Sequence, residues 1–142
     1  MSELIEFSDD ESDNNNFSPK IDSSLKVFKN IVHLDIEKDT LSNEYYRNVV
    51  YTDKFTQLVL MSIKPKKTIS LENHNGTQFI RIEKGNGIIT TKDENEKGLS
   101  LTDGVAILIP PNTQHFIKNT GDIEMKLYSL YSPPQHAPNT QK

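Results

Sequence analysis

The 142 residues contain no cysteine and no tryptophan, only two arginines (Arg47 and Arg81) and only six glycines. Without cysteine there is no disulfide framework, no zinc–thiolate site and no thiol nucleophile. Two arginines give no cluster for planar, bidentate recognition of phosphate. No apolar run approaches the roughly 18 residues of a membrane span. The first residues lack the basic start, apolar stretch and small-residue cleavage site of a signal peptide. The expectation is a soluble, cytoplasmic protein with no membrane partner.

Positive charge is also scarce where nucleic acid would need it. The formal charge is −4, but residues 1–16 hold Glu3, Glu6, Asp9, Asp10, Glu11 and Asp13 and no lysine or arginine. The first 16 residues therefore carry −6 and the other 126 carry +2. A body so near neutrality, with no dense basic stripe, is not expected to bind nucleic acid. Lysine outnumbers arginine 14 to 2, a bias expected of an AT-rich genome and silent about mechanism.

One domain is expected at this length. Residues 1–20 are acidic and rich in serine and asparagine; they cannot bury enough apolar surface to offset ordering, so a disordered acidic tail is predicted there. Residues 21–50 form an N-terminal arm. Within it "SSLKVFKNIVHL" fits either a short strand or one helical turn, and "DTLSNEYYRNVVYT" ends in β-branched and aromatic residues as an edge strand would. Residues 51–132 are the β-rich body. The β-rich runs are 55–63, 68–74, 77–85 and 87–91. After the polar loop "KDENEKG" come about four more. Turn signals recur every 8 to 12 residues, as in an all-β sandwich or barrel. Residues 133–142, "PPQHAPNTQK", read as a flexible tail or an arm laid over a neighbour.

The chemistry-bearing residues cluster in "ISLENHNGTQFIRIEKGNG". Alternation puts Glu72 and His74 on one face of a strand. After the turn it puts Gln78, Ile80 and Ile82 on one face, and Phe79, Arg81 and Glu83 on the other. A further histidine, His115, follows a strand that ends in a proline turn. Taken singly, each histidine is more readily a hydrogen-bonded surface group. His33 reads as structural, His136 as a tail residue, and Tyr128 and Tyr131 as packing residues.

These residues resemble the cupins, whose first motif is usually written G(X)5HXH(X)3–4E(X)6G and whose second is G(X)5PXG(X)2H(X)3N. Lys66, Glu72, His74, Gln78 and Gly85 stand at the spacing of the first; Gly104, Pro110, His115 and Asn119 stand at that of the second. The flanks "TQLVLMSIKP", "QFIRIEKGNG" and "KNTGDIEMKLYSLYSPP", with the "HAP" beyond, are similar to small single-domain cupins often described as mannose-6-phosphate isomerase-like. The chain departs from the family where Lys66 and Asn112 replace glycines, Glu72 replaces a histidine and Gln78 replaces a glutamate. Asparagine tolerates the left-handed conformation better than most residues. Lysine at 66 implies a less tight approach to the strand.

The resemblance implies an all-β, cupin-type antiparallel β-barrel (jelly roll, double-stranded β-helix), commonly paired as a homodimer. It implies a divalent metal held by His74, His115, Gln78 and Glu72. Two imidazoles, a carboxylate and an amide oxygen suit manganese or ferrous iron and permit zinc or nickel. Glu72 is a ligand, a catalytic base beside the metal, or the partner of a cation. Two functions follow: a metal-dependent enzyme, isomerase-like or oxygenase-like, acting on a small polar molecule, or a non-catalytic ligand-binding or assembly component. A roomy cavity lined by Gln57, Val59 and Met61 favours the first; a core filled by aromatics favours the second.

Overall fold

The computed structural model describes residues 18–72, 74–91 and 97–142, apart from the side chains of residues 70–72. The predicted acidic tail lies outside the described residues as far as residue 17. The chain begins with β1 (Lys20–Ile21), β2 (Lys26–Phe28) and β3 (Ile31–His33), followed by helix α1 (Ile36–Ser42). It continues with β4 (Asn48–Thr52), β5 (Gln57–Ile63), β6 (Thr68–Glu72), β7 (Thr77–Lys84) and β8 (Gly87–Thr90). The last four strands are β9 (Leu99–Leu101), β10 (Ala106–Ile109), β11 (His115–Asn119) and β12 (Met125–Ser132). Among the described residues no helix is long and apolar enough to cross a membrane.

Two antiparallel sheets form the body. One runs β1-β4-β5-β12-β7-β10 and the other β6-β11-β8-β9. The alternation read from sequence is realised in burial: Gln78, Ile80 and Ile82 are buried on β7, while Phe79, Arg81 and Glu83 are only partly so. On β12 Met125, Leu127, Ser129 and Tyr131 face the same interior. Strand β5 is buried along its whole length. Its one face, Val59, Met61 and Ile63, joins the main core, and the other, Leu58 and Leu60, packs under Leu25, Leu34, Ile36, Tyr51 and Tyr128. Each fully buried aliphatic side chain contributes about 1.5–3 kcal/mol relative to exposure.

Several expectations change here. The ambiguous segment at 23–34 is neither a lone strand nor a helical turn but the β2–β3 hairpin. Its turn residues Lys29 and Asn30 both have positive φ, 47° and 71°, the twist that tight hairpins favour. The predicted edge strand β4 is an inner strand, because β1 pairs with its outer side. The barrel is not closed: among the described residues no ladder joins the two sheets. At one margin stand β9 and β10, short strands of three and four residues that end their sheets without pairing with each other. Leu99 and Leu108 there are 68% and 70% exposed.

Two replaced glycines keep the backbone that glycine would take. Asn112 has φ of 59° and Lys66 has φ of 67°. Asparagine meets this demand as expected. Lysine meets it against its own preference, since the left-handed region costs an ordinary residue roughly 1–2 kcal/mol.

Candidate functional site

The interior is layered in rows. Register places Leu127 beside Met61 and Ile82, Ser129 beside Val59 and Ile80, and Tyr131 beside Gln57 and Gln78. The first row is aliphatic. The last is polar, and Gln57, Tyr131 and Gln78 are all buried. Facing this end, the second sheet pairs His115 with Glu72 by register. The side chain of Glu72, the predicted ligand and base, lies outside the described residues.

His115 is 3% exposed. Its Nδ1 lies 2.9 Å from the carbonyl oxygen of Thr113. A carbonyl only accepts, so in the neutral ring Nδ1 carries the proton and Nε2 keeps the lone pair that a cation needs. The His74 ring centroid is 6.2 Å from that of His115, with the planes tilted by 57°. Asn112 donates its backbone N–H to the carbonyl oxygen of His74 at 2.6 Å, which ties the β10–β11 loop to the β6–β7 turn. Gln78 is 3% exposed; its Nε2 donates to Ser129 Oγ at 3.3 Å, and its Oε1 has no hydrogen-bond partner among the described residues.

A cation would meet suitable donors here: a fixed imidazole, a second imidazole nearby and a buried amide oxygen with spare capacity. Two imidazoles bound at about 2.0–2.1 Å bring their ring centroids to about 5 Å, so the observed spacing is within roughly 1 Å of closing. Among the described residues no three His, Cys, Asp or Glu side chains converge as a metal set. Any third ligand of that kind would come from side chains outside those described, of which Glu72 is the one the register brings opposite His115.

Three further residues take part: Tyr131, read from sequence as a packing residue, His136, read as a tail residue, and Gln57, read as lining the interior. Tyr131 meets His74 edge-on with centroids 5.2 Å apart. His136 meets Tyr131 at 5.0 Å and His74 at 6.3 Å, also edge-on. Gln57 hydrogen-bonds the chain at residues 135 and 136. A glutamine among inward-facing apolar residues was the available signal for the last. Gln57, Val59 and Met61 do not line a roomy cavity; all three are packed into the core, with Gln57 and Val59 fully buried.

Open space lies elsewhere. A groove of about 480 Å³ runs between the β8–β9 and β10 margins, lined by Ile89, Leu99, Ile107, Leu108, Ile109 and Pro110, among others, and His115 forms part of its wall. Lys97 is the one cation among its described lining residues. Arg81 is on the opposite face from Gln78 and pairs with Glu83 at 3.6 Å. Arg47 lies against the Tyr46 ring. A larger hollow of about 950 Å³, which includes His33, Asp22 and Asp35, lies beside α1 and the β2–β3 hairpin. The candidate histidines are not among its lining residues, so the smaller groove is the one relevant to them. Tyr51 and Glu124 titrate abnormally outside the site. Burial, then the Asp53 carboxylate, pushes Tyr51 up to about 12. The Ser62 hydroxyl, then Lys126, holds Glu124 below the usual carboxylate range.

Comparison with known proteins agrees with this architecture. Residues 59–131 match the family model described as a cupin domain. A protein of Acanthamoeba polyphaga mimivirus is 44% identical over 107 residues, covering 74% of this chain and 67% of its own length. Bacillus subtilis YrkC is 39% identical over 107 residues, and the chain spans 58% of its length and 72% of its own. Both are named as uncharacterized proteins. A crystal structure from Bacillus halodurans superposes with a TM-score of 0.72 at 38% identity, covering 77% of this chain and 86% of that one.

Proposed function

This chain belongs to the cupin family, and from that premise we propose that it binds a divalent cation and a small molecule at the polar end of its interior. The observation that carries the reading is His115: buried, fixed by Thr113 through Nδ1, and close to a second imidazole. His115, His74 and Gln78 would hold the cation, with Glu72 as the fourth ligand or as a base on the bound molecule. A bound cation of this kind supplies Lewis acidity to a carbonyl or enediolate oxygen. Manganese, iron, nickel and zinc all suit the donor set.

The groove describes the small molecule further. Its wall is mainly aliphatic, with His115 at one side and Lys97 in its lining. This suits a compound with a polar head and an apolar body better than a sugar phosphate, for which no arginine lines the groove. The isomerase-like reading is therefore the weaker one. A second reading, a ligand-binding or assembly protein without catalysis, is supported by the filled core at Gln57, Val59 and Met61. The protein is further proposed to pair as a homodimer through its N-terminal arm.

Titration of the metal-free protein with Co²⁺, followed by its visible spectrum, tests the cation reading. One equivalent is expected to bind the native chain, and His115→Ala is expected to weaken binding by roughly 10- to 100-fold or more. Equal binding by native and His115→Ala proteins, or none by either, would overturn it.

A further inference from the structure

The segment after β12 turns back over the polar end of the interior and is held there. Gln57, with no exposed surface, uses both ends of its amide on it. Oε1 accepts from the backbone N–H groups of Gln135 at 3.2 Å and His136 at 3.0 Å. Nε2 donates to the His136 carbonyl oxygen at 2.8 Å and to Thr52 Oγ1 at 2.9 Å. Farther along, Val49 donates to the Thr140 carbonyl at 2.8 Å, and Arg47 and Lys142 exchange backbone hydrogen bonds at 3.0 and 3.4 Å. Gln135 Nε2 also reaches Asn75 Oδ1, in the turn that follows His74, at 3.1 Å.

This fastening delivers one imidazole to one place. The rings of His74, Tyr131 and His136 are mutually edge-on, with interplanar angles of 79° to 84°. Edge-to-face aromatic pairs hold each other's orientation. Glycine at position 76 fits the same arrangement: a Cβ there would collide with the Ser132 carbonyl and the Pro133 ring, so the turn beside His74 sits directly on the start of the strap.

We infer that residues 133–142 are a strap of the site, in which His136 is a positioning residue that fixes the His74 imidazole by ring packing and Gln57 is the buried anchor that places His136. The inference rests on the reading of His74 as a functional residue. It assigns Gln57 a role at a distance from the cation and His136 a role through the packing of its ring.

The test compares the native protein with His136→Ala, His136→Phe and Gln57→Leu. It uses the NMR resonance of the His74 ring Cε1–H without metal, and Co²⁺ affinity with metal. His136→Ala should move the His74 resonance and weaken Co²⁺ binding about tenfold, the size of effect seen for groups that orient metal ligands. His136→Phe should restore affinity to within about threefold of native, against that tenfold scale. Gln57→Leu should behave like His136→Ala although it keeps both imidazoles. If Gln57→Leu fails to fold, the two His136 variants still decide the matter. An unmoved His74 resonance in His136→Ala overturns the inference, as does a His136→Phe protein as defective as His136→Ala. Absence of Co²⁺ binding to the native chain overturns the cation reading alone, since the metal-free resonance still reports on the strap.

Discussion

The two ends of the interior are made from the same three strands and are built on opposite terms. At one end Met61, Leu127 and Ile82 lie side by side, all buried and all aliphatic. Four residues along, the same strands present Gln57, Tyr131 and Gln78. At the aliphatic end the polar groups are either outside, where Ser62 and Lys126 both bond Glu124, or satisfied, as the buried Asn119 amide is by the carbonyls of Ile63 and Ile123. At the other end they are inside, and Gln78 keeps an amide oxygen for which the described residues supply no donor. A protein selected for stability alone would fill the second end as it fills the first. The difference separates the part of the fold that holds the sheets together from the part that gives up some of that stability for a site.

The largest test of this division is Leu127→Ala. A cavity at the centre of the aliphatic end should cost about 2–5 kcal/mol, read as a fall in the denaturant midpoint with an unchanged slope. A smaller change is expected from Gln78→Leu. It removes the penalty of an unpartnered buried oxygen but also the donor to the buried Ser129 hydroxyl, so stability should move by less than about 1 kcal/mol while cation affinity falls. A larger loss of stability along with affinity would mean that Gln78 is a structural residue. The smallest effect concerns the satisfied charge outside. The folded state holds the Glu124 carboxyl below its ordinary value of 4.5. The stability this contributes is present above that pH and is lost as the pH falls through the lowered value. Glu124→Gln should therefore lower the thermal midpoint slightly at neutral pH, leave the acid value little changed, and so flatten the shallow decline between them.

Much of the aliphatic end was legible in the sequence. Runs of β-rich residues placed β5, β7 and β8, and alternation, which needs only near neighbours, placed the inward face of Gln78, Ile80 and Ile82. The proximity of His74 and His115 was legible through motif spacing, and the backbone at Asn112 through its tolerance of positive φ. The strap was not legible. Gln57 and its partners are 78 and 79 residues apart, and nothing local to "SPPQHAP" announces that its amides will be claimed by a buried glutamine. Helix α1 escaped because seven residues with no side-chain cap carry too little periodic signal. The open margin at β9 and β10 escaped because sheet closure depends on how short strands meet in space, not on their composition.

Strand β12 lies in the middle of the larger sheet, between β5 and β7, yet it is the last strand of that sheet in chain order. A growing polypeptide therefore carries β5 and β7 for the whole time that residues 85–124 are being made, each with its central edge unpaired. Exposed edges of this kind are where chains join one another instead of themselves. Synthesis rate and chaperone supply, rather than the stability of the finished fold, should set how much of this protein reaches its native state, and slower elongation through residues 85–124 should lengthen the period of risk.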